Sequence, residues 1–394
     1  MSTTALPAEM WLRIFGLVDD KPSLAAACLV SHQLNAWATE ALVVDVVWPS
    51  VALALDSLTL WRDRPSEAGR VKTVSLRAIE GNESVADLLR IFVRIASFTN
   101  LRHLKLMGPN FPGPVVFHAL SVLQRLDEIT LIGCDLRVLA ANVLPGRLSG
   151  IFSQLPLARS LTIDGARTGL LGSFLSHLTS LTIRFPVSWI HPTPELELAT
   201  ALAFTRRLVH LELSLPLDDY LPIARHNNTV QILLPPNPPN LPALRVLSVP
   251  WRFVYNADSS ILRQAPNIEH LRVSAPIPML PGDGPEQRAA PPDVNLFVRN
   301  LEDTHPTLKS ISLCVPDWDG ELVRFISHAF SFCSTLEVLY ETGAPHENFL
   351  FDLGVHHLPR MHLLREIYLK PTSTPQPTYL PYILSILFPG NNQA

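Results

Sequence analysis

His346, Glu347, His356, His357 and His362 form the densest collection of metal-ligating side chains in this sequence. Imidazole and carboxylate together suit a zinc site or a metal-assisted hydrolase, provided the ligands converge from one helix face or from neighbouring strands. Their spacing matches no single helix face, so they read as solvent-facing or packing histidines. Gly282-Asp283-Gly284 lacks the preceding strand and the following helix start of a phosphate loop and reads as a turn. The G-x-S-x-G, G-x-x-x-x-G-K-[ST] and H-E-x-x-H patterns are absent. Cys28, Cys134, Cys314 and Cys333 are far apart, without C-x-x-C or finger spacing, and read as buried thiols of a reducing compartment. The expectation is a chain that is not an enzyme, with no catalytic residue, no metal and no cofactor.

Composition narrows the partners. Charged residues make up 17% and the formal charge is −4, with arginines scattered and no basic stripe, which argues against nucleic acid and anionic membrane as ligands. Mean hydropathy is positive at +0.21, yet no apolar run approaches the roughly 20 residues of a spanning helix. The run 41–55 is broken by Asp45 and Pro49, and 380–388 is short and contains Pro381. No positively charged segment precedes an apolar core at the N-terminus, so the sequence reads as intracellular, cytoplasmic and/or nuclear. The 36 prolines exclude long uninterrupted helices over most of the length. Only five of the 31 basic residues are lysine, either through a bias towards arginine codons or because few acceptor amines are an advantage.

Stepping outward from these residues to the elements that would hold them, one phrase recurs beyond residue 70: apolar, two variable, apolar, one variable, apolar. It occurs at Val71-Val74-Leu76, Leu101-Leu104-Leu106, Leu126-Ile129-Leu131, Ala158-Leu161-Ile163, Leu178-Leu181-Ile183, Leu208-Leu211-Leu213, Leu244-Leu247-Val249, Ile268-Leu271-Val273, Leu308-Ile311-Leu313, Leu336-Leu339-Glu341 and Leu364-Ile367-Leu369. The third copy continues to Cys134 and Leu136, a full leucine-rich-repeat phrase. Helix-like segments at 85–98, 115–126 and 321–332 fill several intervals, so each unit holds a short strand and a returning helix. Short strands of this kind bury their apolar residues only by stacking on the next unit. The expected fold class is therefore α/β, with an irregular leucine-rich-repeat solenoid over 43–388 whose parallel strands line a concave face.

Side chains alternate across a strand, and the residues expected on the open face include Arg77, His103, Lys105, Arg184, His210, Glu212, Trp251, His270, Arg272, Tyr340, Tyr368 and Lys370, accompanied by Met107, Glu128, Asp164 and Glu366. Mixed charge with aromatic and arginine members suits recognition of a protein target. The proline-rich stretches 234–242 and 275–292 read as loops, 379–388 as a cap for the last repeat, and 389–394 as a frayed tail.

The first forty residues differ from the rest. Trp11, Ile14, Phe15 and Val18 follow helical spacing, and Met10, Ile14 and Leu17 form a second stripe beside them, more apolar surface than so small a module can bury in itself. The run from Leu6 and Pro7 through Glu9, Ile14, Phe15 and Leu17 to Leu29, Val30 and Ser31 resembles an F-box of fungal type. Leu34 stands where many relatives carry an aromatic, and 41–47 lacks their usual Leu-Tyr-Arg. The resemblance implies a three-helix module over 1–42 that docks on a Skp-type adaptor and through it a cullin. Leu6, Pro7, Ile14, Phe15, Leu17, Val30 and Ser31 match the family's contact set. It implies a substrate-recognition subunit of an SCF-type ubiquitin ligase, with the repeat array holding the target; the rival expectation is a non-ligase interaction scaffold whose N-terminal helices cap the array.

Overall fold

The computed structural model describes residues 7–18, 21–78, 84–108, 111, 113–123, 125–134, 158–164, 177–184, 202, 205–214, 240–251, 254, 261–274 and 294–371. Leu6, the loop residues 234–239 and 275–292, the segment 379–388 and the tail 389–394 lie outside the described residues. The chain divides into two compact units, Met1–Leu178 and Thr179–Ala394. No helix among the described residues is long and apolar enough to cross a membrane.

The first unit opens with three helices, α1 (Ala8–Gly16), α2 (Lys21–Cys28) and α3 (His32–Val44). The last of these runs directly into strand β1 (Asp45–Trp48). Then follow α4 (Val51–Arg62), α5 (Pro65–Ala68), β2 (Thr73–Arg77), α6 (Val85–Ile95), β3 (His103–Met107), α7 (Gly113–Val122), β4 (Glu128–Ile132) and β5 (Ser160–Asp164). All five strands are parallel, in chain order and without stagger. Val46, Val74, Leu104, Ile129 and Leu161 form one buried column, and Trp48, Leu76, Leu106, Leu131 and Ile163 a second. The apolar faces of α4 and α6 are buried through Leu58, Leu88, Ile91, Phe92 and Ile95. Serine caps start both helices: Ser50 Oγ accepts from the Leu53 amide at 3.3 Å and Ser84 Oγ from the Ala86 amide at 3.1 Å.

In the second unit the strands are β6 (Ser180–Arg184), β7 (His210–Ser214), β8 (Val246–Pro250), β9 (His270–Ser274), β10 (Ser310–Asp317), β11 (Thr335–Thr342) and β12 (Glu366–Pro371). The helices are α8 (Ile261–Gln264), α9 (Val294–Thr304), α10 (Gly320–Ala329) and α11 (Glu347–Asp352), the last continued by a π-helical turn, Leu353–His357, and a 3-10 turn, Leu358–Arg360. Neighbouring strands are again parallel and unstaggered, so that Leu181, Leu211, Leu247, Leu271, Ile311, Leu336 and Ile367 share one column. This repeat architecture, a short strand and a returning segment stacked on the next copy, is that of a leucine-rich-repeat-like array.

A backbone device recurs at the strand starts. The Lys72 carbonyl accepts both the Arg102 and the His103 amides, at 2.8 and 3.0 Å, and Arg102 and Asp127 repeat the pattern onto the following strand. In the second unit Thr179, Val209, Arg245, Glu269, Lys309 and Ser334 do the same. Using both lone pairs of one oxygen in this way leaves no room for a slip of register. A second device closes the turn before most of the strands: the amide of the leading apolar residue bonds to the carbonyl three residues earlier, as Leu101 to Phe98 at 3.0 Å and Leu244 to Leu241 at 3.1 Å. Phe98, Leu123, Leu241, Ala265, Phe330 and Met361 plug the core at that earlier position.

His305 occupies the same plug position before β10. It is 3% exposed, with Nε2 2.9 Å from the Ala265 carbonyl and Nδ1 2.8 Å from Thr304 Oγ1. A carbonyl can only accept, so Nε2 carries the proton. In the third repeat Cys134, in the cysteine slot of the phrase, is buried and directs its thiol to the Leu106 carbonyl at 3.7 Å. Burial pushes that thiol up to about 12 and Cys333 up to about 11. Gly343 follows β11 at φ +82°, where an added Cβ would also lie 2.9 Å from Cβ of Trp318.

The register corrects three expectations. Val43-Val46-Trp48 is a further copy of the phrase, with tryptophan in its last slot, and it forms β1. In β11 the partners of Ile311 and Leu313 are Leu336 and Val338, so the phrase there is Cys333-Leu336-Val338, three residues earlier than the sequence spacing suggests. An odd slip exchanges the two faces of a strand, and Tyr340 consequently points inward. It is buried, with its ring 5.2 Å from that of Trp318, and does not belong to the open face. Trp251 likewise shares the parity of the buried Leu247 and Val249. It is fully buried against Phe297, its indole N–H donating to the Cys314 carbonyl, and is a core residue.

Burial lowers the pKa of His305 from its ordinary 6.5, the backbone hydrogen bond to Ala265 opposing in part. The unfolded chain therefore binds a proton that the folded chain refuses. Stability is full above pH 6.5 and is lost as pH falls from there towards the depressed folded value. Denaturant melts between pH 7.5 and 5 should show the His305→Met variant losing less stability over that window than the parent; equal losses would contradict this protonation assignment.

Candidate interaction surfaces

Helices α1 to α3 pack around Phe15, Leu24 and Ala38, with Trp11, Val18, Ala27, Leu34, Trp37 and Leu42 partly buried against them. Trp11 stacks on Phe15 at 5.8 Å and on Trp37 at 6.0 Å. The inward stripe of α1 is thus Trp11, Phe15 and Val18, which leaves Met10, Ile14 and Leu17 on the other side, 46%, 38% and 76% exposed. At the turn between α2 and α3, Leu29 and Val30 are 88% and 71% exposed. Apolar side chains this open on a small module carry a large unrealised burial energy, on the order of 1.5–3 kcal/mol each.

The expected adaptor contacts separate accordingly. Pro7, Ile14, Leu17 and Val30 are at the surface. Phe15 is not: at 8% exposure it is the module's central core residue, because the helical period that turns Ile14 outward turns its neighbour inward. Ser31 is exposed but has a local task, its Oγ capping α3 by accepting from the Leu34 amide at 3.1 Å. Asn35 supports the same turn by donating to the Cys28 carbonyl at 2.9 Å. Met10 and Leu29 join the exposed set; the stripe Met10, Ile14, Leu17 announces the first, whereas no periodicity marks Leu29. The module is tied to the array by the continuity of α3 with β1 and by Lys21 Nζ, which donates to the Asp45 carbonyl.

The open face of the strands is the second surface. In the first unit it carries Arg77, Lys105 and Met107, with His103 Nδ1 2.8 Å from Glu128 Oε2 across β3 and β4. In the second, Arg184, His210, Glu212, His270, Arg272, Tyr368 and Lys370 occupy outward positions. His210 Nδ1 lies 3.3 Å from Ser180 Oγ, and Ser312 Oγ donates to Glu337 at 2.5 Å. Lys370 sits over the Tyr368 ring at 4.2 Å, and the negative charge of Glu366 raises the Tyr368 phenol above its ordinary pKa. Along the strand starts Glu269 pairs with Arg245 at 3.3 Å and Lys309 at 2.6 Å, and the bond from Lys309 leads in holding its carboxyl below the usual range. The open face as a whole mixes signs, with Glu128, Glu212, Glu337 and Glu366 among its cations, which fits a patterned protein surface better than a polyanion.

The C-terminal histidines do not converge. His346 and His356 are exposed, as are Glu347 and His362. His357 lies 3.5 Å from Asp352 and edge-on to His328 at 5.3 Å. Asp352 is also held by Arg324 at 2.8 Å. Burial, the largest influence, lowers the pKa of His357, with Asp352 opposing and His328, Arg324 and Arg360 adding to the depression. Among the described residues no three histidine, cysteine or carboxylate side chains are placed to hold a metal ion.

No family model matches the sequence, and no curated protein does. Among solved structures, the crystal structure of a TLR13–ssRNA13 complex aligns at 12% identity over 76% of this chain and 43% of that chain, with a TM-score of 0.27. The chain spans less than half the length of that protein, and so loose a superposition carries no argument; the repeat architecture rests on the strand register described above.

The division of α1 into two faces has a direct consequence for stability. Phe15→Ala should cost about 3–5 kcal/mol, whereas Leu17→Ala should stay within about 0.5 kcal/mol of the parent. Thermal melts followed by tryptophan fluorescence, which reports Trp11 and Trp37, check both; equal losses would contradict the assignment of faces.

Proposed function

We propose that this chain is the substrate-recognition subunit of a cullin-RING ubiquitin ligase. One observation carries the reading: Met10, Ile14, Leu17, Leu29 and Val30 stand exposed on a three-helix module whose sequence resembles an F-box. A Skp-type adaptor would bury these side chains, and burial of three or four of them supplies several kcal/mol before ordering costs. Phe15 and Ser31 would contribute indirectly, by shaping the module and capping α3. The open face of the strands would hold a protein target, its mixed rows giving orientation and selectivity.

In this reading the chain makes no bond itself. It raises the effective concentration of a target lysine near a ubiquitin thioester carried by another subunit. The same repeat architecture also supports an interaction scaffold outside any ligase, with α1 to α3 serving only as an end piece. The two readings differ in whether the exposed apolar residues have a partner.

The full chain co-expressed with a Skp-type adaptor should elute with it in size-exclusion chromatography at equal stoichiometry. The Ile14→Asp/Leu17→Asp variant should keep the parent's melting profile and lose the adaptor. Retained co-elution of that variant, or no co-elution of the folded parent, would turn the reading to the scaffold.

A further inference from the structure

In the first unit the middle row of the open face reads Val47, Ser75, Lys105, Thr130 and Thr162, level across β1 to β5. The next row places Arg77 level with Met107 and Ile132. No carboxylate stands in the middle row. Those of this face surround it: Asp45 and Glu128 lie in the row at the strand starts, and Asp164 at the far end of the row of Arg77. The second unit differs, since Arg272 shares its row with Glu212 and Glu337.

Arg77 and Lys105 occupy diagonal slots on adjacent strands. Strands about 4.8 Å apart with a rise of about 3.3 Å per residue put their Cα atoms on the order of 8 Å apart. Neither side chain has an ion-pair or hydrogen-bond partner among the described residues. Glu128, one strand from Lys105, is drawn instead to His103 at 2.8 Å. Asp164 is itself engaged and lies three strands from Arg77. By the same strand spacing Asp45 is on the order of 12 Å or more from either cation. Ser75, Arg77, Lys105 and Thr130 can all donate a hydrogen bond, and the two cations can only donate. Met107 and Ile132 are half-buried beside them. Such a set matches a ligand that brings acceptors and negative charge next to apolar side chains.

Resting on the reading of the open face as the surface that holds a protein target, we propose that the first unit binds an acidic segment of that target. One carboxylate meets Arg77, a second meets Lys105, and an apolar side chain packs against Met107 and Ile132. Residues i and i+2 of an extended chain are about 6.7 Å apart, so two acidic residues at that spacing reach both cations. Two single cations set apart suit two singly charged carboxylates, whereas a phosphoryl group, nearly a dianion, calls for arginines gathered at one point.

The test is selection of a random peptide library displayed on phage against the immobilised full chain, in parallel with its Arg77→Gln/Lys105→Gln variant. Enriched peptides should carry Asp or Glu at i, i+2 beside apolar residues. Synthetic copies, followed by fluorescence anisotropy, should bind that variant about tenfold more weakly and the Arg272→Gln variant within about twofold of the parent. Basic or uncharged peptides, an empty selection, or acidic peptides that bind the Arg77→Gln/Lys105→Gln variant as well as the parent overturn the proposal. Copies with phosphoserine in place of the acidic residues separate the two anions; at least tenfold tighter binding of the phosphorylated copy overturns the carboxylate assignment. Adaptor co-elution is scored on the same protein. A chain that takes the adaptor but none of these peptides overturns this proposal alone, and one that binds the peptides but no adaptor overturns the ligase reading alone.

Discussion

The strand-start carbonyl that accepts two amides from the next repeat is the constraint on which the rest depends. Lys72, Arg102 and Asp127 in the first unit and Thr179 through Ser334 in the second present this acceptor in the same place. With both lone pairs used, each strand must begin level with its neighbour, and zero stagger follows. Zero stagger in turn stacks like positions into columns, so one apolar column after another can close over the returning helices. The outward positions are aligned by the same arithmetic, and His103 meets Glu128, as Ser312 meets Glu337, because they sit level on adjacent strands.

This constraint explains what could be read from the sequence. Eleven strands were legible because their apolar residues keep a fixed interval within each repeat, whatever the length of the connection. Two faults had physical causes. In β1 the last slot is filled by Trp48, an aromatic that the aliphatic phrase does not suggest. In β11 the first slot is Cys333, a small apolar thiol, while Leu336 and Leu339 offer a competing match three residues on. Only the hydrogen-bond register separates the two, and with it the fate of Tyr340. Trp251 needed no register at all: counting by twos from Leu247 places it inward, and its aromatic character was a poor guide to exposure.

The N-terminal module was legible in kind and misread in detail. Its excess of apolar surface is plain in the sequence, but adjacent residues of a helix lie about 100° apart, so Ile14 and Phe15 cannot both face a partner. The inward choice is set by aromatic stacking of Trp11 on Phe15 and Trp37, a contact between helices that spacing within α1 does not reveal.

The central claim is that the exposed apolar residues of α1 and of the α2–α3 turn exist to be covered by an adaptor. Hydrogen–deuterium exchange of the full chain, with and without a Skp-type adaptor, tests it most directly. The account predicts that the adaptor protects amides of 8–18 and 28–32 while leaving the strands of both units unchanged. Protection confined to the strands, or none at saturating adaptor, would contradict it.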